Sequence, residues 1–148
     1  MQLTQKEREL IKDLSNEEKL CVDKYTRHSS AAVDPQLKNL FSQIAQDEQK
    51  HLDAIDRLSQ GTVSEPFTSS GSMPTFEKHY TAETPDKQCD AYLCSDVLAT
   101  EKHASSLYDT CVFEFNDENA RMLLNSIQKQ EQNHGKMIYD YMATNGMQ

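Results

Sequence analysis

The chain has 148 residues, enough for one domain with a hydrophobic core and too few for two domains of ordinary size. Its formal net charge of -9 at pH 7 argues against a nucleic-acid-binding surface and against docking on anionic membranes, because both partners would repel it. Glycine and proline are scarce and no stretch is patterned as a sheet, so the composition predicts an all-α protein.

The first helix is predicted over residues 4–32. Thr4 followed by Glu7 has the pattern of a capping box, which marks a helix start. Residues 1–8 lack the apolar core of a signal peptide, and no run of the chain reaches membrane-spanning length. We therefore expect a cytoplasmic protein.

The second helix is predicted over residues 35–60. Asp34 has the chemistry of an N-cap, Pro35 suits the first helical position, and Gly61 closes the helix. Because the break before Asp34 is short, the first two helices are predicted to form an antiparallel hairpin.

Residues 61–85 are rich in Ser, Thr, Gly and Pro and have no apolar period. A connection of this length is uncommon inside a compact domain unless it serves a topological or functional purpose, and it is long enough to travel the length of a helical bundle. Its apolar residues are expected to attach it to the bundle, and those that stay exposed favour a homodimer. They are Phe67, Met73, Phe76 and Tyr80.

The third and fourth helices are predicted over residues 86–115 and 117–144, with Asn116 and Asp117 forming the turn of a second hairpin. The predicted fold is a single all-α four-helix-bundle domain spanning residues 1–148, in which a long crossover joins two antiparallel helical hairpins.

A Glu-x-x-His motif occurs twice, as Glu48 with His51 and as Glu131 with His134. Side chains at i and i+3 project from one face of a helix, so each pair can reach one metal ion. Both pairs lie on the apolar stripe of their helix, where a carboxylate must be paired, neutralised or bound to a cation.

The whole pattern repeats after 83 residues, so that Glu18 also aligns with Glu101. Each of these glutamates lies thirty residues before a Glu-x-x-His motif, so both hairpins bring their carboxylates level near the middle of the helices. One layer of the core is therefore predicted to contain six ligands: Glu18, Glu48, His51, Glu101, Glu131 and His134.

Four carboxylates and two imidazoles match two divalent cations, because the total charge comes near zero. This mixed oxygen and nitrogen set suits iron best, with manganese as the alternative. A buried polar layer that fixes the register of the helices without metal is the competing interpretation.

Three further residues are predicted to hold the ligands in place. Tyr25 and Tyr108 follow Glu18 and Glu101 by seven positions, on the same face, and each could bond the carboxylate of the opposing half. Asp47 could orient His134 across the bundle, and its counterpart in the repeat is Gln130. The four cysteines, which form no Cys-x-x-Cys pair, are interpreted as buried reduced thiols.

The six predicted ligands resemble those of the ferritin-like di-iron and di-manganese carboxylate proteins, whose core has one glutamate from each of two helices and Glu-x-x-His from each of the other two. The resemblance covers nearly the whole chain and implies two metal ions that react with dioxygen or peroxide. Rubrerythrins are similar in this core but add a four-cysteine iron domain, which is missing here, so an external electron donor would be needed for oxidase or peroxidase activity. Dimanganese catalase chemistry is a further alternative.

The sequences of residues 18–22 and 34–38 are also similar to those of the F-type spore-coat proteins of endospore-forming bacteria. That resemblance implies a structural protein in or near the spore coat, with other coat proteins as partners. The bundle would then serve as a scaffold, with or without bound metal.

Overall fold

The computed structural model describes residues 1–68 and 73–147, and within them the chain is helical without a strand. The helices are α1 (Gln5–Ala31), α2 (Pro35–Ser59), α3 (Pro85–Glu114) and α4 (Glu118–Thr144). They form an all-α four-helix bundle, as the sequence predicts. Each predicted helix boundary lies within one residue of the observed one.

Side-chain caps account for where three of these helices begin, and two of the caps, Thr4 and Asp34, are predicted from the sequence. Thr4 and Glu7 form both hydrogen bonds of a capping box, and Asp34 accepts from the backbone N–H of Gln36 at 2.9 Å. Asp117 caps α4 in the same way. Helix α3 begins one residue earlier than predicted, because Thr84 is its N-cap and Pro85 occupies the first helical position.

Contacts at the two ends of the bundle define its topology. At one end Glu7 of α1 accepts a hydrogen bond from the backbone of Asn116, just beyond α3, at 3.1 Å. At the other end Asp90 of α3 accepts from the backbone N–H groups of Val33 and Asp34, just beyond α1, at 2.9 Å each. Helices α1 and α3 are therefore antiparallel, and the second hairpin is inverted relative to the first.

The inversion requires the connection between α2 and α3 to run from one end of the bundle to the other. It starts beside Met1, whose amino group donates to the carbonyl of Gly61 at 3.1 Å. It then passes the middle of the bundle, where the N–H of Phe67 donates to Ser126 Oγ at 3.0 Å. Near the far end Glu77 and Gln36 exchange two hydrogen bonds. Residues 69–72 of the predicted crossover lie outside the described residues.

The apolar core consists of two clusters, one toward each end of the bundle. One is centred on residues such as Leu14, Leu58 and Leu124, and the other on residues such as Phe41, Val97 and Ile138. The buried polar residues that the sequence predicts as ligands belong to neither cluster. They form a polar layer between two apolar parts, so that water is kept from them at both ends.

Three of the cysteines, Cys21, Cys94 and Cys111, are buried and free. Burial raises the pKa of Cys94 and of Cys111 to about 12, so both are thiols at neutral pH. Cys89 is free but exposed, so the interpretation of all four cysteines as buried is wrong at that position. Within the described part of the chain, none of the helices combines the length and the apolar character needed to cross a membrane.

Candidate metal centre

All six predicted ligands meet in the polar layer, and none is more than 3% exposed. Each Glu-x-x-His motif projects both side chains inward, as its spacing requires. His51 Nδ1 lies 3.1 Å from Glu48 Oε1, and His134 Nδ1 lies 3.7 Å from Glu131 Oε2. Glu18 arrives from α1 and Glu101 from α3.

The ligand atoms form two overlapping groups, in each of which they lie within 4.8 Å of one another. The first group contains Glu18 and His51, and the second contains Glu101 and His134. Glu48 and Glu131 belong to both groups. Each of the two groups therefore has one histidine, one carboxylate of its own and two shared carboxylates, which is an arrangement that could hold two metal ions side by side.

In each histidine, Nε2 faces a polar side chain outside the centre, and Nδ1 faces the carboxylates of the centre. His134 Nε2 lies 3.1 Å from Asp47 Oδ2, and His51 Nε2 lies 2.5 Å from Gln130 Oε1. An N–H at Nε2 can donate to either oxygen, which places the lone pair at Nδ1 on the side of the carboxylates. Asp47 therefore faces His134, while Gln130, its counterpart in the repeat, faces His51.

Two buried tyrosines connect the hairpins through the glutamates. The hydroxyl of Tyr25 donates to Glu101 Oε1, and that of Tyr108 donates to Glu18 Oε1, each at 2.6 Å. Burial, together with the facing carboxylate, raises the pKa of both tyrosines well above the ordinary value, so both remain donors. Each hairpin thus supplies the hydrogen bond that orients a glutamate of the other.

Several buried atoms of the centre have no hydrogen-bond partner within residues 1–68 and 73–147. They are Glu18 Oε2, both oxygens of Glu48, Glu101 Oε2, Glu131 Oε2 and His134 Nδ1. Buried acceptors without a donor are unfavourable unless a proton or a cation satisfies them. Because all of these atoms are acceptors when ionised or lone-pair donors to a metal, the donor set fits divalent cations.

The pKa values of the buried carboxylates also reflect the excess negative charge of the polar layer. Burial, followed by repulsion from Glu48, raises the pKa of Glu18 well above its ordinary value. Burial and the charge of Glu101 do the same to the pKa of Glu131. Burial also opposes ionisation of Glu48, but the imidazoles of His134 and His51, whose Nδ1 atoms lie 3.3 and 3.1 Å from Glu48 Oε1, outweigh burial and lower the pKa of Glu48.

His134 carries the complementary shift. Burial disfavours its charged form, but the hydrogen bond to Asp47 and the nearby carboxylates of Glu101, Glu131 and Glu48 outweigh burial and raise its pKa well above the ordinary value. The layer therefore takes up protons when no cation balances it.

Sequence reasoning missed one buried carboxylate near the centre. Glu17 is 7% exposed, its Oε1 has no partner among the described residues, and its Oε2 lies 3.6 Å from His103 Nε2. Burial raises its pKa, although the charge of His103 acts in the opposite direction. Glu17 and Glu18 are adjacent, so the helical period alone could not show that both are buried.

Buried carboxylate and histidine clusters inside a four-helix bundle define a protein that could hold metal ions. Residues 89–148 match the family model described as the Coat F domain. This stretch covers most of α3 and all of α4, and so includes Glu101, Glu131 and His134. No curated protein and no solved structure matches the chain.

Proposed function

We propose that the chain is a structural protein of the spore coat whose ferritin-like bundle binds two divalent metal ions. The match of residues 89–148 to the Coat F domain is the observation that supports the role in the coat. The match runs from residue 89 in α3 through the end of α4. It includes Glu101, Glu131 and His134, which are half of the predicted ligands, so the coat-family segment contributes to the proposed metal centre.

Location is the direct test of the coat role. The chain, expressed from its own promoter with a C-terminal fluorescent tag in an endospore-forming host, is expected in the coat fraction of purified spores. Detection in the mother-cell cytosol alone, with none in the coat fraction, would reject the coat role while leaving the metal centre intact.

Two ions of iron, or of manganese, are proposed to bind through the two overlapping groups. Each would be held by a histidine Nδ1 and by carboxylate oxygens, with Glu48 and Glu131 shared between them. The unpartnered acceptors of the centre support this proposal, since four ionised glutamates and two divalent cations are electrically neutral together. Metal analysis by mass spectrometry is expected to find two ions per chain.

Glu48→Gln is the sharpest variant for the metal test, because it keeps the shape of a shared ligand and removes its charge. It is expected to abolish binding of at least one of the two ions. Glu118→Gln is the matched control, since Glu118 is exposed in the first turn of α4. A Glu48→Gln protein that still binds two ions would show that the layer is not the binding site.

A dimetal oxidoreductase is the second candidate function. A bound pair of redox-active ions could exchange electrons with dioxygen or peroxide. The chain itself would position ligands through Asp47, Gln130 and the two tyrosines, keep water out with the two apolar clusters, and hold protons at Tyr25 Oη and Tyr108 Oη. A surface depression lined in part by Glu101 and Glu131 favours this candidate over a sealed structural site.

Turnover separates the two candidates. An oxidase or peroxidase is expected to consume dioxygen or hydrogen peroxide only when an external reductant is supplied. A dimanganese catalase would release dioxygen from peroxide without a reductant. A metal-loaded protein that does neither would support a purely structural use of the metal.

A further inference from the structure

The surface between α3 and α4 contains a depression of about 240 Å³ that borders the metal centre. Glu101 and Glu131 line it, and both are buried ligands of the proposed centre. Leu98 and Gly135 form facing parts of its wall, and Lys102 lies exposed at its rim. The depression could hold several water-sized molecules.

Gly135 is unusual because its backbone does not need a glycine. It lies inside α4 with no positive φ, where glycine is less stable than alanine. A Cβ placed there would lie 3.6 Å from Leu98 Cδ1, which is ordinary van der Waals contact. A methyl group would therefore fit against Leu98, whereas a longer side chain would enter the depression that Gly135 and Leu98 both line.

The internal repeat gives the residues that occupy the same positions in the first hairpin. A shift of 83 residues places Gly135 on Leu52, which is 9% exposed in the corresponding position of α2. The same shift places Leu98 on Ser15. Each hairpin therefore has one leucine in this pair of positions, Leu52 on α2 in the first and Leu98 on α3 in the second, and the residue facing Leu98 is the glycine of α4.

The adjoining α2–α4 side of the centre is covered by the crossover. The ring of Phe67 packs edge-on against the ring of His51 with centroids 5.0 Å apart, and its backbone is tied to Ser126 of α4. Phe67 does not line the depression, which lies around the bundle on the next face.

We propose that the Gly135 depression is the route by which a small uncharged molecule, of the size of dioxygen or hydrogen peroxide, reaches the metal pair. The inference rests on the proposed metal centre. Leu98 and Gly135 give the route apolar walls, and Lys102 at the rim repels a divalent cation, so a neutral molecule suits this route better than the metal does.

Nitric oxide is the probe, since it is uncharged, has two atoms and binds iron(II) with a visible absorption change. Binding to the iron(II)-loaded protein would be followed by stopped flow under anaerobic conditions. Gly135→Leu, which copies Leu52, is expected to slow binding by about tenfold or more at unchanged iron content, because access now requires the walls to move. Leu98→Ala widens the same wall from α3 and is expected to speed binding.

Asn125→Leu is the matched control, because it adds the same side chain to an exposed position of α4 outside the depression. Its rate should equal that of the parent chain. Wild-type rates in both Gly135→Leu and Leu98→Ala, at normal iron content, would overturn the route while leaving the metal centre standing. Failure of the parent chain to bind iron would overturn the metal centre and the route with it. Should Gly135→Leu fail to fold, Leu98→Ala alone decides between a faster rate and an unchanged one.

Discussion

The hydroxyl of Tyr25 is a single donor on which a buried carboxylate depends. Tyr25→Phe removes the 2.6 Å bond to Glu101 and leaves both oxygens of that carboxylate without a protein donor. We expect the metal-free protein to lose about 1–3 kcal/mol of unfolding free energy, the usual effect of leaving a buried acceptor unsatisfied. Urea denaturation measures the loss.

Metal binding by Tyr25→Phe is expected to weaken as well, since Glu101 is no longer held toward the centre. Tyr139→Phe is the matched control, because Tyr139 is 52% exposed on α4. Equal stability and equal metal affinity of Tyr25→Phe and Tyr139→Phe would contradict a role for the Tyr25 hydroxyl.

Asp47 acts on the centre only through His134. Asp47→Asn keeps the shape but removes the charge that favours an N–H at Nε2, so Nδ1 becomes a weaker ligand. The expected loss of metal affinity is about 10–100-fold, measured by competition with a chelator. Asp53→Asn, an exposed position of the same helix, should leave the affinity unchanged. An Asp47→Asn protein with parental affinity would show that His134 needs no such partner.

At the scale of the elements, one acidic side chain joins three segments. Asp90 of α3 accepts from the backbone of Val33 and Asp34 at the end of α1, and from Tyr80 of the crossover at 2.6 Å. Because Asp90 is fully buried, these bonds are shielded from water. Asp90 therefore fixes the start of the second hairpin to the turn between α1 and α2.

Asp90→Ala is expected to destabilise the protein by about 3 kcal/mol or more, since it strands two backbone donors and one hydroxyl. Asp86→Ala, in the exposed first turn of the same helix, should change stability by about 1 kcal/mol at most. Thermal or urea unfolding of the two variants gives the comparison. Similar values for both would mean that Asp90 is replaceable by water.

The helices could be predicted because their signals are local. Thr4 with Glu7, and Asp34 with Pro35, are read within four residues, and the i and i+3 spacing of Glu48 and His51 puts both on one face whatever the partner helices do. The repeat at 83 residues then paired the two halves. None of these inferences needed a distance between helices.

The depression and the Asp90 network could not be predicted, because both depend on how far apart helices lie. Asp90 is the sixth residue of α3, and a single acidic side chain near a helix start is usually exposed. Gly135 is a single helical glycine, and only the position of Leu98 on another helix gives it meaning. The assignment of Asp34 as a cap was right but incomplete, since its second oxygen accepts from Tyr141 at 2.6 Å.

For the whole molecule, the centre makes stability depend on pH. Glu18 and Glu131 have pKa values well above the ordinary carboxyl value, so the folded chain holds protons that the unfolded chain releases. Their contribution to stability is complete below the ordinary carboxyl pKa and is lost as the pH rises through the raised values. His134, whose pKa is also raised, contributes in the same direction at higher pH. Glu48, with a lowered pKa, loses its contribution only in stronger acid.

The metal-free protein is therefore expected to show a falling Tm between about pH 5 and pH 8. Two bound ions should flatten this slope and raise the Tm, because they replace the protons and bind only the folded chain. Calorimetry with and without a chelator tests both effects, and Glu131→Gln should flatten the slope without metal. A Tm that rises with pH in the chelated protein would contradict the assignment of excess negative charge to the layer.

The exchange of tyrosines between the hairpins has a consequence for any shorter relative of this chain. A lone α3–α4 unit would possess three of the six ligands and a tyrosine aimed at a glutamate that it does not have. Two identical copies facing each other across a twofold axis would restore every missing partner, Tyr108 of each copy then reaching Glu101 of its mate by the same 83-residue correspondence. Fusion of two such units into one chain frees each half to change separately, and the glycine on one side opposite a leucine on the other is a difference that identical subunits could never keep.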